Sequence, residues 1–262
     1  MRNEARDGVQ VIDRVSALLR ALGNSRRPVQ LRDLSAQTGL SKSTARRLLV
    51  SLASNGLCEQ TASGGYQLGI ELFLLGQKVQ DSLEVRERAR PIMEQLGERW
   101  HHTVFLCVRA GDHAVCVDRV DSGEVYGLAF RVGALLPLHL AAAPRAILAW
   151  LPDADIHRYI DSVGPLPRYT ERSITDPDQL FDFLQASRLQ GWVLSEDDVA
   201  EGIAAIAAPV FDHNGRVVAA ISASGIVQQV VHVERDELAL DIVAAANAIS
   251  RAVGFRAGGP EG

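Results

Sequence analysis

The 262-residue chain is 47 % hydrophobic and 23 % charged, with a formal net charge of -5, values of an ordinary globular protein with room for two domains and a sizeable core. No apolar run reaches the roughly 18–20 residues that cross a bilayer, and the first residues carry mixed charge without the apolar stretch of a secretory leader. Three cysteines, Cys58, Cys107 and Cys116, make no disulfide framework, so the chain reads as a cytoplasmic protein with reduced thiols.

From Gly8 to Leu22, the residues Ile12, Val15, Leu19 and Leu22 recur at helical spacing, and Gly23-Asn24 ends the run. A short extended piece, Pro28 to Leu31, leads to a second helix over Arg32–Thr38. Its cap is weak, because Gln30 stands where Ser or Thr is preferred. Gly39 supplies the turn into a third helix. There Ser41 occupies the N-cap, and Ala45, Leu48, Leu49 and Leu52 form a buried stripe. Ser43, Arg47 and Val50 fall on the opposite side, flanked by Thr44, Arg46 and Ser51.

Hydroxyls and guanidiniums on one helix face suit phosphate oxygens and guanine edges. The bland alternative is a solvated amphipathic helix with two surface arginines. Charge favours the first reading. Residues 1–80 hold 11 Lys+Arg against 6 Asp+Glu, net +5, whereas residues 81–262 hold 16 against 26, net -10. Leu57–Gln60 and Tyr66–Leu68 flank Ser63-Gly64-Gly65 and read as a β-hairpin. Two helices joined by a Gly-containing turn, followed by a hairpin, predict a winged helix-turn-helix. Tyr66 is expected to pack against the helices rather than reach a groove.

Helices are expected over Ile70–Gln80 and Leu83–Trp100, the second kinked or broken at Pro91. The period then changes. Thr103–Arg109 and Ala114–Val120 form a hairpin about Ala110-Gly111-Asp112-His113, across which Cys107 could face Cys116, and Val125–Val132 is a third strand. Helices follow over Leu140–Leu151, with Pro144 tolerated in the first turn, over Ile156–Val163, and over Asp176–Gln190 starting from Thr175. Trp192–Leu194 is a strand, Ile203–Phe211 and Arg216–Ser224 pair about Asn214-Gly215, and Glu234–Val253 is a closing helix. Hairpins mixed with helices predict an α+β fold on a mostly antiparallel sheet.

Taken together, these stretches resemble the IclR family of bacterial transcriptional regulators. The likeness is carried by Leu31 to Ser35, Thr38 to Thr44, Arg47 to Leu49, Tyr66 to Gly69, Ala89 to Pro91 and Val117 to Val120. It continues through Arg131 to Gly133, Leu136 to His139, Ile174 to Asp176, Ile206 to Val210 and Ile221 to Gly225. The resemblance implies an N-terminal winged helix-turn-helix (residues 1–69), a helical linker (70–82), a C-terminal GAF-like effector domain (83–254) and a disordered tail (255–262). It also implies a double-stranded DNA operator, a small organic acid effector and self-association as dimer or tetramer. Neither a cofactor, a membrane partner nor catalytic activity belongs to it.

Carried over residue by residue, the expected DNA contacts are Ser41, Lys42, Ser43, Thr44, Arg46 and Arg47, with Arg47 reading a guanine and Lys42 and the hydroxyls on phosphate. Ser222 and Ser224 lie two apart on a strand and share a face, which in the family lines the effector pocket. The position of Ile203 joins them, as does the helix start after Leu138-His139, where backbone N–H groups near Ala141 would meet a carboxylate. Ser195 and Ala205 stand where the family often has Asp and Cys, and Pro144-Arg145 replaces a Gly-Lys pair. Lost polar atoms and volume predict a larger, more apolar pocket, suited to an aromatic or medium-length acid rather than a two- or three-carbon one.

Two other readings are a small-molecule enzyme with an accessory helical domain and a ligand-blind DNA-binding protein. Against an enzyme, His101-His102, His113 and His139 show no metal-binding spacing and no C-x-x-C pair occurs. Ser222-Ala223-Ser224-Gly225 is not a nucleophile elbow, and Glu196-Asp197-Asp198 reads as a solvated acidic turn.

Overall fold

The structure, a computed structural model, describes residues 10–255 apart from 26, 82–83 and 122–129. Of the expected tail only Phe255 is described, its ring packed 5.6 Å from the Phe211 ring, and the rest lies outside the described residues. The chain divides into two compact units, Met1–Ser82 and Leu83–Gly262.

In the first unit, α1 (Gln10–Gly23), α2 (Leu31–Thr38) and α3 (Lys42–Ser54) precede a hairpin of β1 (Cys58–Gln60) and β2 (Tyr66–Leu68), and α4 (Ile70–Asp81) follows. Leu18, Leu22, Leu34, Ala45, Leu49, Leu52 and Tyr66 meet in one buried cluster. The stripe of α3, and that of α1 from Val15 onward, are therefore faces that pack, whereas Ile12, expected on the α1 stripe, is 61 % exposed. Gln30 caps α2 with no side-chain bond, and Gly39 closes it at φ 67, a left-handed turn that a β-carbon resists. The extended piece before α2 is tied to the wing: Val29 and Tyr66 exchange two backbone hydrogen bonds of 2.8 Å.

In the second unit, α5 (Glu84–Trp100) leads to β3 (Thr103–Ala110), β4 (His113–Val120) and β5 (Leu135–Pro137). Then come α6 (Ala142–Ala149), α7 (Asp153–Val163), α8 (Pro177–Gln190), β6 (Val193–Glu196), β7 (Ile203–Phe211), β8 (Val217–Ile226), α9 (Val227–Val230) and α10 (Arg235–Ala252). Six strands form one sheet in the order β5-β4-β3-β8-β7-β6, each neighbouring pair antiparallel. Alternate residues serve opposite faces. Val104, Leu106, Ile221 and Ala223 pack with α5 and α10, whereas Phe105, Cys107, Ala207 and Ala220 pack with α6, α7 and α8. Cys107 lies opposite Cys116, and both are buried free thiols.

Four details depart from the sequence reading. The expected strand Val125–Val132 lies outside the described residues for all but its last three positions, and those three are not in a strand. An unanticipated edge strand, β5, ends in Pro137, which an edge tolerates because its outer side has no ladder to complete. Of the kink or break expected at Pro91, the break does not occur, since α5 is continuous there. Pro91 and Glu87 are both exposed, so the carbonyl deprived of its helical partner faces water. α8 is capped by Asp176, which accepts the Gln179 N–H at 2.9 Å, rather than by Thr175.

Candidate functional site

Two surfaces carry chemistry. The first is the outer face of α3. Ser41 Oγ accepts the Thr44 N–H at 3.2 Å, fixing the first turn, and Ser41 and Ser43 hydroxyls lie 3.0 Å apart. Ala45, Leu49 and Leu52 are buried behind. In front, Ser41, Lys42, Ser43, Arg46, Arg47, Val50 and Ser51 are exposed, with Thr44 half-buried. Among the described residues, no ion pair engages Lys42, Arg46 or Arg47. Three cations and a row of hydroxyls thus stand available to a polyanion. At the wing, Ser63 is exposed and Tyr66 is buried.

The second is a cavity between the sheet and α6, with an empty volume of about 560 Å³ including its mouth. Of the eight positions expected there, Ala141, Ser195, Ile203, Ala205, Ser222 and Ser224 line it. Leu138 and His139 do not. Both are fully buried one layer behind, because the chain reverses between β5 and α6 and turns these two side chains into the core. His139 accepts the Tyr159 hydroxyl at Nδ1 (2.7 Å), and its Nε2–H reaches the Pro167 carbonyl at 3.2 Å. These partners assign the proton of the neutral ring to Nε2. Burial pushes the Tyr159 phenol up to about 12.

Most of the remaining wall is apolar: Phe105, Phe130, Leu136, Val199, Ala200 and Pro144. The Phe105 and Phe130 rings sit 5.6 Å apart at 56°, a tilted aromatic pair. Behind Phe105 lies the Arg119 guanidinium, 5.4 Å from the ring centre.

The polar groups of the cavity are unequal. Ser224 donates to the Ala204 carbonyl at 3.1 Å, and Ser195 donates to Asp198. Ser222 is 4 % exposed and its hydroxyl has no partner among the described residues. α6 begins at Ala142 with no side-chain cap. First-turn N–H groups have no acceptor within a helix, and among the described residues none is supplied to those of Ala142 and Ala143. Ala141 precedes them at φ 60, ψ 166, a region nearly reserved for glycine.

Asp198 corrects the expectation of a solvated acidic turn. It is 2 % exposed and lines the cavity. Its Oδ2 accepts the Ala141 N–H at 3.2 Å and lies 2.8 Å from Arg145 Nη2. That contact is close, but Nη2 makes no aligned hydrogen bond, so it is an ion pair held by charge rather than by direction. Arg145 Nε donates to the His139 carbonyl at 2.7 Å, and burial pushes the Arg145 pKa down while Asp198 raises it. Sequence reasoning missed Phe105, Phe130 and Asp198. The alternation of β3 puts Phe105 on the face of Cys107 but does not say which helices cover that face. For Asp198, the only available signal was the Arg at position 145 in place of the family's Lys.

The family descriptions "IclR helix-turn-helix domain" and "Bacterial transcriptional regulator IclR C-terminal" match residues 11–62 and 77–251. The chain is 33 % identical over 225 residues to the HTH-type transcriptional regulator KipR of Bacillus subtilis, covering 86 % of this chain and 90 % of that protein. It is 28 % identical over 251 residues to the HTH-type transcriptional regulator XynR of Escherichia coli, covering 95 % and 99 %. Among solved structures, an IclR homolog from Microbacterium hydrocarbonoxydans complexed with 4-hydroxybenzoate matches with a TM-score of 0.79 at 25 % identity. That match covers 93 % of this chain and 98 % of the other.

Proposed function

The chain belongs to the IclR family of bacterial transcriptional regulators, and from that premise we propose that its operator affinity is set by a small, preferably aromatic, organic acid bound between α6 and the sheet. The observation that carries this reading is the set of unused donors, the N–H groups of Ala142 and Ala143 and the Ser222 hydroxyl, facing an apolar cavity. A helix N-terminus favours an anion, and the Phe105–Phe130 pair favours a ring. The 4-hydroxybenzoate bound by the Microbacterium relative supports the same class.

On the DNA side, Lys42, Ser41, Ser43 and Thr44 would contact phosphate and Arg47 would read a guanine, with Arg46 on the groove flank. Exposed Ile70, Phe73, Leu74 and Leu75 of α4 support self-association, and a two-fold dimer calls for a near-palindromic operator with half-sites about one helical turn apart. A cytoplasmic setting goes with an operator on the chromosome. Among the described residues, no helix is long and apolar enough to cross a membrane.

An effector shifts DNA affinity only by its differential affinity for two states of the protein. Titrating the full chain with 4-hydroxybenzoate, benzoate, glyoxylate and pyruvate by calorimetry tests the reading, followed by operator binding with and without each acid. Aromatic acids should bind and change operator affinity. Tight binding of glyoxylate or pyruvate, with no response to aromatic acids, would overturn it.

A further inference from the structure

We propose that Asp198, held by Arg145, limits the cavity to acids bearing a single negative charge, so that dicarboxylates of the same size are excluded. This rests on the reading of the cavity as an acid site and specifies which acids enter it.

Three charges meet at the α6 corner. The helix end contributes about half a positive charge. Asp198 contributes a full negative charge beside it, accepting the N–H of Ala141 directly before the free N–H groups. Arg145 returns a full positive charge from behind. The corner is therefore left with the helix end and the Ser222 hydroxyl, enough for one carboxylate.

A second carboxylate finds no counter-charge. Among the described residues, Asp198 is the charged group of the cavity wall. Arg145 opens on an outer crevice beside Phe183 instead, its guanidinium 5.0 Å from that ring centre, and is committed to Asp198 and the His139 carbonyl. Arg119 is engaged by Asp121 and by the Phe130 carbonyl. Asp198 cannot turn away, since Ser195, Ala141 and Arg145 hold it from three sides. An added anion must then sit against apolar wall or against Asp198, and an uncompensated buried charge is strongly disfavoured. A neutral hydroxyl meets no such barrier, because the Asp198 carboxylate has acceptor capacity left on Oδ1.

The test separates charge from size. Benzoate, monomethyl terephthalate and terephthalate are titrated into the full chain, with hexanoate, monomethyl adipate and adipate as a flexible series. The monoacids and monoesters should bind, and each diacid should bind at least about 100-fold more weakly than its own monoester. Asp198→Asn keeps one acceptor oxygen for the Ala141 N–H, turns its amide NH2 to the Ser195 hydroxyl, which can accept instead of donate, and unmasks Arg145. It should bind the diacids about tenfold or more tightly than wild type. Because a buried pair is broken there, the double variant Arg145→Gln/Asp198→Asn provides a second check. It removes both charges and should reject diacids as the wild type does. A diacid binding less than about 100-fold more weakly than its monoester in the wild type would overturn the proposal and leave the acid reading intact. Binding of dimethyl terephthalate with no binding of any acid would overturn both.

Discussion

Tyr159 donates its hydroxyl to Nδ1 of His139 across 2.7 Å, and both side chains are closed off from solvent. Burial holds the His139 imidazole below the ordinary histidine range. The bond to the Pro167 carbonyl opposes this shift, and the neighbouring Arg145 charge adds to it. A base with a depressed folded-state pKa is protonated first in the unfolded chain. Its contribution is therefore fully present above about pH 6.5, the unperturbed value, and is lost as pH falls from there through the folded pKa. Urea midpoints of the second unit's transition at pH 8, 6.5 and 5 should fall more steeply in the wild type than in His139→Gln. Parallel slopes would show that His139 is not the group responsible.

Arg47 and Lys42 should differ in kind when replaced. Arg47→Ala is expected to cost roughly 1–3 kcal/mol at one base position per half-site and to flatten preference there. Lys42→Ala should weaken all sequences alike and lower the salt dependence of binding by about one counterion per site. Selection from a randomised duplex library, read at two salt concentrations, distinguishes them. An unchanged preference in Arg47→Ala would remove Arg47 as the reader.

Ala141 holds a backbone conformation, φ 60 and ψ 166, that disfavours a β-carbon by about 1–3 kcal/mol. Ala141→Gly should relieve most of this, offset in part by the greater entropy of the unfolded glycine. The net expectation is a gain of about 1 kcal/mol, measured as a higher denaturation midpoint, with the cavity otherwise intact. A loss of stability would mean that the methyl group packs better than its geometry allows.

Gly225 should tolerate no side chain. A β-carbon there would stand 2.5 Å from Nδ1 and 2.7 Å from Cε1 of His102. That ring cannot yield easily, because it is 1 % exposed and its Nε2 lies 2.6 Å from Glu234 at the start of α10. Gly225→Ala is expected to destabilise by about 1–3 kcal/mol through overpacking. Removing the ring in His102→Ala should make the same substitution far less costly, and a double-mutant cycle measures the difference.

Local chemistry was legible in the sequence wherever it was decided locally. The cap at Ser41, the stripe Ala45–Leu49–Leu52 and the turn at Gly39 each follow from a few neighbouring residues, and each appears in the structure. The strands β3, β4, β7 and β8 were readable from alternation and from the Asn214-Gly215 turn. The cavity was legible only in part. Ser222 and Ser224 share a face by period alone, but Phe105 and Phe130 meet through a loop closure that no short-range pattern encodes. Asp198 was misread for the same reason. Three consecutive acids look solvated, and the cation that draws one of them inward lies 53 positions earlier, at Arg145. His139, read as part of the ligand wall, belongs instead to the support behind it, because the turn between β5 and α6 rotates it inward.

The buried clusters have one consequence for how such regulators diversify. Every residue of the first cluster lies between Leu18 and Tyr66, and every residue of the other two lies between Val85 and Ile249. Among the described residues no buried cluster has members on both sides of the stretch 70–84, so a recombination breakpoint falling there keeps each cluster with a single parent. A crossover between related chains in that stretch therefore joins two different parents without mixing the residues of any one buried cluster.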